Sequence, residues 1–159
     1  MKKQKPDPLD RAALMHSAVD LLSRRDYSRQ ELWRKLSPKA ASADDLESVL
    51  NNLAERNWQS DERFAAMYLR ARSNRGVGPL RLKQELKQKG VSGDLTSEAM
   101  EQSDANWTQN AIEVAQKKAR SVGFDHPQLK PKLWRFLAYR GFAGDVIELA
   151  IEKVMTERA

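Results

Sequence analysis

Cysteine is absent from the chain, which excludes disulfides and thiolate metal sites and is consistent with a reducing compartment. Histidine is nearly absent. His16 and His126 stand far apart, with no ligand or catalytic spacing around either, and each reads as a plain surface or structural residue. No H-x-x-x-H, P-loop or G-x-S-x-G pattern occurs, so zinc hydrolysis, nucleotide-driven chemistry and serine nucleophilic catalysis have no carrier. No catalytic residue, metal ligand or cofactor is expected, and the chain reads as a non-enzyme. Long apolar runs are missing too. Nothing approaches the run of about 18 residues that a membrane span needs, and no membrane partner is expected. The Lys- and Pro-rich start, Met1 to Pro8, lacks the apolar core of a signal peptide; it reads as a disordered tail on a cytoplasmic protein.

What is present is polar and basic. Apolar residues make up 40% and charged residues 31% of the 159, a balance that suits many amphipathic helices with thin shared cores better than one thick core or a buried sheet. The formal charge is +6, which favours polyanionic partners. From Glu62 to Lys89 eight basic residues face two acidic ones, so this stretch alone carries +6. Asp94, Glu98, Glu101 and Asp104 follow, with no basic residue between Gly90 and Trp107. The positive region is bounded.

Apolar residues recur at helical spacing: Leu14, Ala18, Leu21, Leu22; Leu46, Val49, Leu50, Leu53; Phe64, Met67, Tyr68, Ala71; Ile147, Ala150, Ile151, Val154. Each set forms one stripe on a helix, and no stretch sustains the alternation of a strand. Ser28-Arg29-Gln30-Glu31 is a capping-box sequence. Pro79, after Gly78, suits a first helical position, while its missing N–H spoils Gly76-Val77-Gly78-Pro79 as a phosphate cradle. Gly90 and Gly141 suit left-handed residues just past helices, and Pro38 stops the helix that ends near Leu36.

These helices form a repeat. Leu32/Leu36, Leu82/Leu86 and Leu133/Leu137 are each followed by a helix start: Ala43-Asp44-Asp45-Leu46, Ser92-Gly93-Asp94-Leu95 and Ala143-Gly144-Asp145-Val146. Ser23, Ser73 and Ser121 each close a helix upstream. The period is about 50 residues with three helices per unit. The expected fold is all-α, three tandem three-helix repeats in an elongated, curved array of either hand, each unit covering its neighbour's apolar stripe. The expected units are 9–59, 60–105 and 106–159, after a tail at 1–8.

Candidate binding residues are basic. Arg70, Arg72 and Arg75 end one central helix, and Arg81, Lys83, Lys87 and Lys89 lie on the next. Helix-end cations complement the dipole, but Lys83 and Lys87 at i, i+4 repel each other unless an anion lies opposite. A merely solvated face is the alternative reading. Smaller clusters recur as Arg24, Arg25, Arg29, Arg34 and Lys35 in the first unit, and as Lys117, Lys118, Arg120, Lys130, Lys132, Arg135 and Arg140 in the third. Stacked units would set these clusters along one extended surface suited to a long polyanion or a filament. Among the few aromatics, Trp33 and Trp134 adjoin repeat leucines and read as packing residues rather than base-stacking platforms; Tyr139 reads as an exposed contact.

The segment Asp61-Glu62-Arg63-Phe64-Ala65 through Tyr68, Arg70 and Arg72 to Gly76-Val77-Gly78-Pro79-Leu80-Arg81-Leu82-Lys83-Gln84-Glu85-Leu86-Lys87-Gln88-Lys89-Gly90-Val91 resembles the core motif of RecX regulatory proteins. Leu22-Ser23-Arg24-Arg25-Asp26-Tyr27-Ser28-Arg29-Gln30-Glu31-Leu32 adds a second match, and the third unit matches mainly through Leu133, Phe136, Leu137, Arg140, Gly141 and Phe142. The resemblance implies a negative modulator of the RecA recombinase. Such a protein binds the RecA–single-stranded DNA filament and restrains its extension, ATPase, strand exchange and co-protease activity in DNA repair and the SOS response. The expected partners are the RecA nucleoprotein filament and, weakly and without sequence preference, single-stranded DNA, met by a monomer. The expected contacts are Arg24, Arg25, Arg29, Arg70, Arg72, Arg75, Arg81, Lys83, Lys87, Lys117, Lys118, Arg120, Lys132, Arg135 and Arg140. A stand-alone helix-turn-helix-like DNA binder is the competing reading.

Overall fold

The computed structural model describes residues 6–157, and the fold among them is helical throughout. Three helices make each unit: α1 (Arg11–Arg24), α2 (Arg29–Leu36) and α3 (Ala43–Glu55); α4 (Asp61–Asn74), α5 (Pro79–Gln88) and α6 (Gly93–Gln102); α7 (Trp107–Val122), α8 (Leu129–Arg140) and α9 (Gly144–Glu157). The expected tail at 1–8 lies largely outside the described residues; Pro6 to Pro8 are irregular and exposed.

Short polar side chains start most of these helices by accepting a hydrogen bond from an otherwise orphaned first-turn N–H. Asp10, Ser28, Ser42, Ser60, Ser92 and Asn106 all do so. At Ser28 the capping box is complete: its hydroxyl accepts from the Glu31 N–H, and Glu31 accepts from the Ser28 N–H, both at 3.1 Å. Pro38 turns the end of α2 into a short 3₁₀ segment, Ser37–Lys39. Gly90 and Gly141 take left-handed backbone angles, φ +80° and +98°.

The repeat leucines lie at the centre of the units. Leu32, Leu36, Leu82, Leu86, Leu133 and Leu137 are all exposed by 2% or less. Each unit gathers its own core around them. Leu14, Ala18, Leu46, Val49, Leu50 and Leu53 surround the first pair, and Ala111, Ala115, Ile147, Ala150 and Val154 surround the third. In the second unit Phe64, Leu86 and Val91 form one cluster and Leu69, Val77 and Leu82 another. The expectation that each unit covers its neighbour's stripe is thus corrected: three helices close the stripes within each unit. Trp107, at the start of α7, is an exception that packs against the second unit.

The units are joined end to end through their second helices. The C-terminal end of α5 meets the N-terminal end of α2, where the Ser28 hydroxyl donates to the Lys89 carbonyl at 2.8 Å. The Lys89 ammonium pairs with Glu31 at 3.1 Å. Asp61 accepts from the Arg29 N–H at 2.9 Å, and Arg63 pairs with Asp26 at 2.8 Å. The next joint repeats the arrangement one unit along. The C-terminal end of α8 meets the N-terminal end of α5, with the Gly78 N–H donating to the Arg140 carbonyl at 2.7 Å and the Leu80 N–H to the Gly141 carbonyl at 3.0 Å. Ser28 and Gly78 are 50 residues apart, and Lys89 and Arg140 are 51 apart, so the two joints fall at matching places in the repeat, closed by a serine hydroxyl at the first and by backbone N–H groups at the second. Each brings a negative helix end to a positive one and satisfies groups that a lone helix leaves open.

Among the described residues the two outer ends of the row differ from the joints. Backbone pairing with Leu9 covers the segment after α2: its N–H donates to the Lys39 carbonyl at 2.8 Å, and its carbonyl accepts from Ala41 at 2.9 Å. At the start of α8, Pro131 stands 51 residues after Leu80 and has no N–H to give.

Candidate functional site

Two carboxylates organise much of the basic surface. Glu85, on α5, accepts from the Tyr68 hydroxyl at 2.8 Å and from the Arg72 guanidinium at 3.1 and 3.2 Å, and pairs with Arg81 at 3.4 Å. Burial opposes the Glu85 charge, but the hydrogen bonds from Arg72 and Tyr68 and the charges of Arg72 and Arg81 outweigh it, holding the carboxyl below its ordinary value. Burial and the bond to Glu85 push the Tyr68 phenol up to about 12. Arg34, Arg72, Arg81, Gln84 and Lys89 share with Tyr68 a cleft of about 500 Å³ beside the first joint. Arg81 also lies 5.0 Å over the ring of Tyr139, which is 74% exposed.

Glu31 plays the matching part in the first unit. It pairs with Arg25 at 3.2 Å and with Lys89 at 3.1 Å. Burial again works against the carboxylate, and hydrogen bonds from Arg25, the Ser28 N–H and Lys89 overcome it, so its pKa falls below the ordinary value. Both acids are therefore easier to deprotonate folded than unfolded. Their contribution is present above the unfolded carboxylate pKa of about 4.3 and is lost as pH falls through the lower folded value. Thermal unfolding followed across pH 7 to 3 is expected to show a fall in midpoint over the acid range that is shallower in Glu31→Gln. An identical slope in the variant would show that Glu31 contributes no proton linkage.

The fifteen candidate contacts do not share one face. Arg24 pairs with Asp20 at 3.1 Å, Arg25 stacks 3.6 Å over the Tyr27 ring, and Arg29 donates to Asn51 at 2.7 Å. Two residues along a helix turn the direction by about 200°. Arg70 accordingly points away from Arg72 and lines a different hollow with Asp104 and Asn106, while Lys83 and Lys87 lie on the flank of α5 opposite the Arg81–Glu85 clamp. Arg75, Lys117, Lys118 and Arg140 come together across the second joint. Lys118 and Arg140 lie 4.6 and 4.9 Å from the Phe136 ring centroid, and Arg140 also donates to the Arg75 carbonyl at 3.1 Å. Lys132 shares the Phe136–Arg140 face of α8 at i, i+4 and i+8; Arg120 and Arg135 are exposed elsewhere on the third unit. Among the described residues, Arg70, Lys83, Lys87, Lys117, Arg120, Lys132 and Arg135 form no ion pair, nor does the Arg75 side chain.

The clamping acids were not singled out from sequence, although Glu85 four residues after Arg81 is a readable helix pair. Nothing in the sequence ties Glu31 to Lys89. Trp33 packs on the first core. Trp134, expected to pack, is 40% exposed beside an apolar groove of about 590 Å³ with Pro131, Ile151 and Met155. Both histidines are exposed, and the His126 Nδ1 accepts only the local Gln128 N–H, at 3.0 Å. Among the described residues no His, Cys, Asp and Glu cluster could hold a metal, and no helix is long and apolar enough to cross a membrane.

This architecture has known counterparts. Residues 15–53, 60–100 and 106–151 match, in order, the first, second and third three-helix domains of RecX. The chain belongs to the RecX family. Each matched RecX domain holds one of the leucine pairs, Leu32/Leu36, Leu82/Leu86 and Leu133/Leu137. Among curated relatives, the regulatory protein RecX of Neisseria meningitidis serogroup C is 45% identical over 145 residues, covering 91% of this chain and 93% of that one. RecX of Legionella pneumophila strain Corby is 40% identical over 139 residues, covering 87% and 92%. The crystal structure of RecX from Lactobacillus salivarius superposes with a TM-score of 0.77 at 24% identity, covering 91% of this chain and 96% of that one. A second RecX crystal structure gives 0.80 at 24% identity, covering 89% and 73%. The expected all-helical, three-unit RecX fold is the one found.

Proposed function

We propose that this RecX-family protein is a negative modulator of RecA that binds the RecA–single-stranded DNA filament and restrains its extension, ATPase, strand exchange and co-protease activity. It acts as a cytoplasmic monomer with no chemistry of its own, built from units at 9–59, 60–105 and 106–159. The observation that carries the reading is a row of three jointed units bearing cations, among them Arg70, Lys83, Lys87, Lys117, Arg120, Lys132 and Arg135, that form no ion pair among the described residues. Each unit adds a contact made at high effective concentration once the first is in place. A row of joined units can therefore hold a polymer that no single unit would hold.

The test is the DNA-dependent ATPase of RecA on single-stranded DNA, titrated with the protein before and after filament assembly. Inhibition is expected in both orders. Inhibition well below one molecule per protomer would identify blocked growth, and a need for near-equal coverage would identify groove occupancy; unchanged ATPase at all ratios overturns the proposal. Sequence-selective duplex binding, by roughly 10³-fold or more over random DNA, would establish the helix-turn-helix alternative instead.

A further inference from the structure

We infer that the cleft across the second joint, between the end of α4 and the exposed side of α7, is the seat for the phosphodiester backbone of single-stranded DNA. This deepens the proposed function and rests on it for the choice of polymer. Four cations converge there from three helices, Arg75, Lys117, Lys118 and Arg140, around a space of about 440 Å³. Glu113 is its one carboxylate, and Asn110 supplies a neutral amide.

The walls are fixed before any ligand arrives. The Arg140 guanidinium bonds the Arg75 carbonyl across the joint at 3.1 Å. Gly76 lies so close to α7 that a Cβ there would come within 2.6 Å of Val114 Cγ2. Such preorganisation removes an ordering cost that flexible surface lysines would carry.

The lining selects phosphate over protein. A protein partner needs apolar anchors at the centre of its contact, and the aromatic ring here, Phe136, already has Lys118 and Arg140 stacked on it. What remains free is point charge and amide, the equipment of sequence-blind backbone contact. The first joint offers less: four of the cations there, Arg25, Arg72, Arg81 and Lys89, are drawn onto Glu31 and Glu85, whereas Lys117 and the Arg75 side chain form no ion pair among the described residues. Glu113, four residues before Lys117 on the same face of α7, opposes a phosphate in this cleft and lowers the field that Lys117 presents to it.

The experiment measures binding of a labelled oligo(dT) strand, with no RecA present, across a series of salt concentrations. Arg75→Ala/Lys117→Ala is expected to weaken binding and to shrink the slope of log K against log salt by about 1.4, at about 0.7 per phosphate contact. Glu113→Gln is expected to tighten binding, and Lys153→Ala, which removes one charge from α9, to leave the slope unchanged. Circular dichroism checks that each variant is folded. The inference is overturned by an unchanged slope in the double variant, by an equal loss in Lys153→Ala, or by no measurable oligo(dT) binding in the parent protein. A double variant that keeps oligo(dT) binding but loses the filament also overturns it, identifying an acidic protein surface instead. Failure of the parent to inhibit RecA sinks the proposed function alone, since the salt series does not involve RecA.

Discussion

Gly78→Ala is expected to part the second unit from the third while leaving both helical. The backbone at Gly78 is ordinary, with φ −84°, so alanine meets no conformational barrier. The obstacle is room: a Cβ would come within 2.5 Å of the Gly141 carbonyl group and 2.7 Å of the Phe142 nitrogen. Those are backbone atoms, which cannot rotate aside as a side chain can. Overpacking of this kind costs about 1–3 kcal/mol. The only relief is to open the joint, giving up the Gly78–Arg140 and Leu80–Gly141 hydrogen bonds at about 0.5–1.5 kcal/mol each. Because the third unit has its own core, far-UV circular dichroism should barely change. Hydrogen exchange at the Leu80 amide should accelerate, and inhibition of RecA should weaken by roughly tenfold or more, about 1.4 kcal/mol. A Leu80 amide as protected as in the parent would show that the joint tolerates the methyl group. Gly93→Ala is the control: no atom lies within 4 Å of the added carbon, and the shorter list of unfolded conformations should stabilise the protein by about 0.4–1 kcal/mol.

Reversing Lys83 and Lys87 together should abolish inhibition of the RecA ATPase without touching the fold. Both are exposed and without ion pairs among the described residues, so glutamates there break nothing inside the chain. They would face the filament with the wrong sign along one flank of α5, at several kcal/mol for juxtaposed like charges. Arg72→Glu should behave differently. It would set a second carboxylate against Glu85 and remove two charge-assisted hydrogen bonds, costing about 1–3 kcal/mol of stability. Urea unfolding separates the two cases: the lysine double variant should keep the parent midpoint, and Arg72→Glu should lose it. Full inhibition by the lysine variant would remove this flank from the interface.

The contrast shows how far the sequence could be read. Leucine pairs at i, i+4 and serines at helix starts report on their own helix, so the buried Leu82/Leu86 and the capping box at Ser28 were legible. The turn reading of Gly76 to Pro79 was right about where α5 begins and silent on why glycine is needed, because the neighbours at Gly78, Gly141 and Phe142, lie more than sixty residues along the chain, just past the end of α8. The basic cluster suffered from the same limit. Spacing alone already sends Arg70 and Arg72 to different sides of α4, yet only the packing of α5 decides that Arg72 meets Glu85 and Arg70 does not. The cleft at the second joint draws its lysines from α7 and its arginines from the ends of α4 and α8, and no local pattern marks that meeting. Shared cores were expected from the polar composition. Three-helix closure supplied separate ones, because three short amphipathic stripes can face inward on one another without a neighbour.

Leu9 and Pro131 mark the two outer ends of the row. A tail segment is bonded over the Lys39 carbonyl at one outer end, and at the other Pro131 stands where Leu80 donates in the second joint, so that joint's bonds are not repeated at either end of the described row. Molecules closed in this way and set side by side on a larger lattice would take their spacing from that lattice.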